Sequence, residues 1–159
     1  MKAYNGQPEI SIKKMELRHL PGVMEIERES FADPWSRQSF ISEICRNNYA
    51  HYLVACYNKR VVGYIGAWNV ANELHITNLA IEQEQRRKGI AVKLIGQMIE
   101  EARIKGALRV TLEVRISNRA AIKLYKKMGF RAAGKRPRYY LNNGEDALIM
   151  WKGLRNEKG

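Results

Sequence analysis

The residues best suited to bind or transform a ligand lie in the second half of the chain. Residues 82–91 read EQEQRRKGIA. An apolar strand precedes this stretch and a helix follows it. A basic loop leading through a glycine into a helix is a physical recipe for an anion site. The first N–H groups of a helix have no partner within it, and the helix dipole adds roughly half a positive charge there. Gly89, without a Cβ, allows close backbone approach to an anion, and small Ala91 leaves room two residues later. The spacing matches neither the phosphate loop GxxxxGK[ST] nor the dinucleotide fingerprint GxGxxG. An ordinary charged surface loop remains the alternative. Beyond the loop, Glu113 ends a strand, and Tyr125 follows on the next helix. Taken alone, Glu113 reads as a strand-end carboxylate paired with Arg115. Tyr125 likewise reads as a core aromatic sharing a helix face with Ala121 and Met128. His75, in an apolar strand, is either structural or, in its neutral form, able to relay a proton. His19 and His51 have no partners nearby in sequence. The His, Cys and acidic spacings fit no metal site, and Cys45 and Cys56 suit neither a disulfide framework nor zinc.

The elements that must position these groups follow from periodicity. Residues 10–15 alternate as a strand. Pro21 suits a helix start, and Val23, Ile26, Ser30 and Phe31 continue at helical spacing. Pro34 restricts Asp33 and breaks that helix, and Ser36 caps a short second one through Phe40, Ile41 and Ile44. Residues 51–57 and 60–68 form a hairpin turning at Asn58–Lys59, and residues 73–81 make a third strand of this group. Ile90, Leu94, Ile95, Met98, Ile99 and Ala102 define a helix over 89–105, ended by Gly106. A strand over 107–114, a helix over 117–128 and two strands over 131–140 and 146–152 complete the order, the last pair joined by the turn Asn142-Asn143-Gly144. The pattern is β-α-α-β-β-β-α-β-α-β-β, with no repeat or linker. One mixed sheet with helices on both faces is expected.

Length and composition agree with a single domain over 1–159, its core at about 10–152 and its ends short and flexible. The 45% apolar content excludes a disordered basic tail. The longest apolar run, residues 61–68, is far below the roughly 20 residues of a bilayer span. No apolar leader is read at the N-terminus, so a soluble, cytoplasmic protein is expected. The formal net charge is +12. Residues 115–138 hold nine of the cations, Arg115, Arg119, Lys123, Lys126, Lys127, Arg131, Lys135, Arg136 and Arg138, and no acid. Charge alone permits a solvated face, nucleic-acid binding, or an acidic ligand or ribonucleoprotein partner.

The motif RRKGIA at 86–91, the strand LHITNLAI, the block LEVRISNRAAIKLYKKMGF at 112–130 and the tail RYYLNNGEDALIM at 138–150 resemble, in this order, the GNAT superfamily of acetyl-CoA-dependent N-acetyltransferases. Within it, the sequence is similar to the protein N-terminal acetyltransferases. FADPW at 31–35 looks like the ribosomal-protein alanine type, and HITNLAI and YYLNNGEDALIM look closer to the archaeal type. The resemblance spans nearly the whole chain. It implies the α/β (α+β) GNAT fold, a central mixed, mostly antiparallel seven-stranded sheet flanked by about four helices.

By the same resemblance, acetyl-CoA is the cosubstrate and no metal is needed. Leu79, Ala80 and Ile81 lie beside the pantetheine arm, with a backbone N–H near Ile81 facing the thioester oxygen. Arg86, Arg87, Lys88, Gly89, Ile90 and Ala91 wrap the pyrophosphate, and Asn118 bonds nearby cofactor atoms. Glu113 is the general base, acting through a water, and Tyr125 the general acid on the departing sulfur. Phe31, Pro34, Trp35, Tyr139 and Tyr140 wall a peptide groove. The implied reaction is transfer to the N-terminal amine of a ribosomal protein or nascent chain, by direct attack in a ternary complex. Ribosome association is a further expectation, with no membrane role and no nucleic-acid specificity. A small-amine or lysine acetyltransferase of the same fold and a nucleic-acid-binding module are the competing readings. The second lacks a helix-turn-helix, an aromatic RNA-binding strand or a zinc finger.

Overall fold

The alternation of the apolar runs dictates where the core forms. In the computed structural model, which describes residues 9–154, β2 (Ala50–Tyr57) directs Leu53 and Ala55 to one side of a sheet and Tyr52, Val54 and Cys56 to the other. β3 (Arg60–Val70) does the same with Val62, Ile65 and Ala67 against Val61 and Tyr64. Both strands are covered on both faces, which is why they read as nearly continuous apolar runs. On the first face lies α3 (Ile90–Ile104), burying Ile90, Leu94, Ile95, Met98 and Ala102. α4 (Arg119–Lys127) adds Tyr125 to the same cluster. On the second face lie α1 (Leu20–Ser30) and α2 (Arg37–Arg46), burying Leu20, Val23, Met24, Ile26 and Phe40.

β1 (Ile10–Lys14), β4 (Glu73–Ile81), β5 (Arg109–Arg115), β6 (Arg131–Tyr140) and β7 (Glu145–Gly153) complete a seven-stranded sheet of order β1-β2-β3-β4-β5-β7-β6. All neighbours are antiparallel except β4 and β5, which α3 connects. The expected fold class is therefore observed, with shifted boundaries. The helix expected over 117–128 begins at Arg119 because the Asn118 side chain caps it, accepting from the Ala121 N–H at 3.2 Å. Ser36 caps α2 as anticipated, accepting from the Ser39 N–H at 3.1 Å. Short 3-10 turns at Leu17–His19 and Gln83–Gln85 were not foreseen. The expected flexible ends fall mostly outside the described residues. No helix among those residues is long and apolar enough to cross a membrane.

One irregularity shapes the site. Gly66 opposes Asn78 and Ala67 opposes Ile76, so Thr77 is an extra residue in β4. The ring of Tyr52 lies over Gly66 so closely that a Cβ there would come within 2.3 Å of it. Such a bulge bends its strand and increases the local twist. The β4–β5 ladder runs from Glu73–Arg109 to Ile76–Leu112 and stops there, at the bulge. Beyond it the two strands part.

Candidate functional site

The parting of β4 and β5 opens a groove of about 680 Å³, within the range of small-molecule sites. Ile76–Leu79 form one side of its floor and Leu112–Arg115 the other. The α1–α2 loop contributes Phe31, Ala32, Asp33 and Trp35 as one wall, and the β6–β7 hairpin contributes Tyr139 and Tyr140 as another. Ser117, Asn118, Ala121 and Tyr125 close one end. Of the anticipated residues, Leu79, Asn118, Glu113, Tyr125, Phe31, Trp35, Tyr139 and Tyr140 thus meet in one space. Pro34, Ala80, Ile81 and residues 86–91 do not line it.

Glu113 is not paired with Arg115, contrary to the simplest sequence reading. His75 pairs with Thr111 in the β4–β5 register, and Glu113, two residues further along β5, shares its face. His75 Nε2 stands 2.5 Å from Glu113 Oε2, and Arg136 Nε donates to Glu113 Oε1 at 3.2 Å. Burial works to raise the Glu113 carboxyl. The hydrogen bond and charge of His75, joined by the Arg136 guanidinium, outweigh it and hold the group below the usual carboxylate range. Arg115 is committed elsewhere. It donates to Asn142 Oδ1 (2.9 Å), Asn143 Oδ1 (3.1 Å) and Glu145 Oε1 (3.3 Å), and its guanidinium stacks 3.9 Å above the Tyr140 ring. Glu145 also accepts from the Ser117 N–H at 2.7 Å, so the hairpin is tied to the start of α4.

Tyr125 belongs to the core and to the groove at once. Its ring packs on Phe130 at 5.6 Å and is 7% exposed. Burial, with Tyr140 adding to it, pushes its hydroxyl up to about 12, so it stays protonated near neutrality. Tyr140 is likewise pushed up to about 12, chiefly by burial, and packs edge-on against Tyr139 at 5.1 Å.

The basic loop is folded differently from the simple picture of three cations facing outward. Arg86 turns inward, donating from Nε to the Ile81 carbonyl (3.0 Å) and from Nη2 to Ser30 Oγ (3.4 Å). Lys88 reaches Gln85. Arg87 (φ 64°) and Gly89 (φ 81°) are both left-handed. An added Cβ on Gly89 would meet no atom within 4 Å, so conformation rather than crowding within the chain calls for glycine there. No side chain caps α3, which leaves its first-turn N–H groups available to an anion.

The basic segment also divides. Arg115 lines the groove and Arg136 bonds to Glu113, while α4 turns Arg119, Lys123, Lys126 and Lys127 along a shallow outer depression with Ile122. Two groups escaped sequence reasoning. The His75–Glu113 contact depends on strand register, which spacing does not encode. Glu27, 2% exposed, carried a readable signal: it is an acid inside the apolar stripe of Val23 and Ile26 on α1.

The sequence profile of the acetyltransferase (GNAT) family matches residues 20–130. A Bacillus subtilis protein, provisionally named a [ribosomal protein bS18]-alanine N-acetyltransferase, is 44% identical over 89% of this chain and 93% of its own length. The crystal structure of the ribosomal-protein-S18-alanine N-acetyltransferase from Escherichia coli superposes with a TM-score of 0.84 at 30% identity, covering 95% of this chain and 99% of that one. Ard1 from Thermoplasma volcanium superposes with a TM-score of 0.85 at 25% identity, covering 92% and 99%.

Proposed function

The chain belongs to the acetyltransferase (GNAT) family and is an acetyl-CoA-dependent N-acetyltransferase, and from that premise we propose that it acts as a single domain on the free N-terminal amine of a protein. The observation that carries this reading is the open groove at the β4–β5 split, with Glu113 on its floor, His75 bonded to it from β4, and aromatic walls on either side. The names of the bacterial relatives support a ribosomal protein as acceptor.

The amine itself supports an N-terminus. An α-amine ionises near 7.7–8.0 and a lysine near 10.4, so at pH 7 roughly 10% of the former but under about 0.1% of the latter is neutral. A modest base suits the easier substrate. Acetyl-CoA supplies the activated acyl group. Leu79, Ala80 and Ile81 offer backbone to its arm, and a donor N–H near Ile81 meets the negative charge that grows on the thioester oxygen. The uncapped start of α3, with Arg87, Lys88, Gly89, Ile90 and Ala91, holds the pyrophosphate, and Arg86 braces that loop from behind. Asn118 uses its carbonyl as the α4 cap and offers its amide N–H groups to the cofactor. His75 and Glu113 take the ammonium proton together, directly or through water. Tyr125, kept protonated, donates to the leaving sulfur. Phe31, Pro34, Trp35, Tyr139 and Tyr140 hold the first residues of the acceptor. Direct attack in a ternary complex is supported by a groove lining that contains no cysteine to carry the acyl group.

Turnover of acetyl-CoA on peptides varied at the first two residues tests the assignment. Free N-termini should react, with intersecting double-reciprocal lines. Activity confined to lysine side chains or polyamines overturns the acceptor, and parallel lines overturn the ternary complex. Ribosome association, through cations such as Lys135 that have no acidic partner among the described residues, is a further part of the proposal. Binding to ribosomes that does not weaken with salt would count against it.

A further inference from the structure

The α1–α2 loop is a wall of the groove, yet it has little backbone pairing of its own. The Phe31 N–H closes α1 by donating to the Glu27 carbonyl at 3.1 Å. Asp33 precedes a proline, and Pro34 has no N–H to give. Among the described residues the next loop N–H with a partner is that of Trp35, and it donates to the carboxylate of the same residue, Glu27 Oε2, at 3.0 Å. The other oxygen, Oε1, accepts from the Tyr64 hydroxyl on β3. Glu27 therefore spans from the central sheet to the loop, its backbone holding one end of the segment and its side chain the other.

The surroundings reinforce that geometry. Tyr64 is fully buried, and its ring meets Phe40 edge-on at 5.7 Å. Phe40 in turn packs against the Trp35 ring at 5.4 Å. The aromatic block fixes the side of Trp35, and the carboxylate fixes its backbone. Both partners of Glu27 are neutral donors. A buried carboxylate with such partners is a poor choice for stability alone, since an apolar residue of similar volume often serves as well. Glu27 also touches the groove.

We propose that Glu27 is a positioning residue: its carboxylate clamps the Trp35 backbone to Tyr64 and so sets the acceptor-side wall of the groove. The proposal rests on the reading of that groove as the acceptor site. It concerns acceptor binding and leaves the cofactor side, at α3 and α4, untouched.

The test uses the full chain with Glu27→Gln, which keeps size but loses one of the two acceptor oxygens. Tyr64→Phe, which keeps the ring and the carboxylate but removes one donor, is the second arm. Amide exchange at Trp35, peptide KM, kcat and acetyl-CoA affinity are measured together. In Glu27→Gln, Trp35 exchange should accelerate and peptide KM should rise roughly tenfold. kcat and acetyl-CoA affinity should stay within about twofold. Tyr64→Phe should show the same pattern more weakly. Unchanged Trp35 exchange, or faster exchange with unchanged KM, overturns the proposal. A parallel loss of acetyl-CoA binding overturns it too, since it marks a general role in folding. If the wild-type chain acetylates no N-terminal peptide, the acceptor reading fails, and Trp35 exchange alone decides whether Glu27 clamps the loop.

Discussion

His75 on β4 and Glu113 on β5 meet at 2.5 Å just where these two strands separate. Both backbones still belong to one sheet, and the Glu113 side chain lines the opening beyond it. Glu113 is thereby held below the usual carboxylate range, and on the proposed reaction the two residues act as one unit. Residues acting as a unit lose function non-additively. His75→Gln and Glu113→Gln should each lower kcat/KM on a peptide by roughly 10²-fold. The double variant should be hardly worse than the poorer single one. Losses that multiply would show two independent roles.

Tyr125 gives a prediction of a different kind. Its ring is part of the core against Phe130, so replacement by phenylalanine preserves packing and removes only the hydroxyl. A tyrosine hydroxyl is protonated near neutrality, and burial raises this one further, to about 12; on the proposed reaction it donates to the departing thiolate. Tyr125→Phe should lower kcat by roughly 10²-fold while leaving acetyl-CoA affinity nearly unchanged. Rapid-quench or steady-state rates beside calorimetric binding separate the two effects. An unchanged kcat removes Tyr125 as the acid.

How far these features were legible in the chain depends on the range of the forces that set them. The hairpin at Asn58–Lys59, the Ser36 cap and the α3 stripe are local, and residues a few positions apart encode them. Eight groove residues could be named, because contiguous blocks resemble those of a known family, but Pro34, Ala80 and Ile81 lie outside the groove lining. The bulge at Thr77 could not, because it depends on Tyr52 lying across Gly66 from a neighbouring strand. The pairing of Glu113 with His75 and Arg136, instead of Arg115, needs the registers of four strands, β4, β5, β7 and β6. The inward turn of Arg86 needs a carbonyl and a helix end that only the fold brings together.

Arg136 links the stripe of cations to the chemistry. Its guanidinium lowers the Glu113 carboxyl alongside His75. Removing that positive charge makes the carboxylate easier to protonate, so its proton is lost only at higher pH. Arg136→Gln should therefore move the acid limb of the kcat/KM profile to higher pH, with acetyl-CoA affinity preserved. A profile that coincides with the wild type would mean that Arg136 holds the hairpin without tuning the base.

Glu145 supplies the test of how the hairpin wall of the groove is tied down. Hydrogen bonding to Ser117 is the main cause that lowers its carboxyl to about 2, with Asn143 and Arg115 contributing. An unfolded glutamate titrates near 4.3. A group depressed on folding stabilises the native state above its unfolded value, and that contribution fades as pH falls through the folded one. Glu145→Gln should therefore lower Tm most at pH 6. The gap to the wild type should narrow below about pH 4 and close as the pH approaches about 2. Exposure to solvent screens the effect, so a difference of only a few degrees is expected. Thermal unfolding of both chains across that range measures it. A constant gap would place the role of Glu145 in packing alone, and the tie between the hairpin and α4 would then not depend on charge.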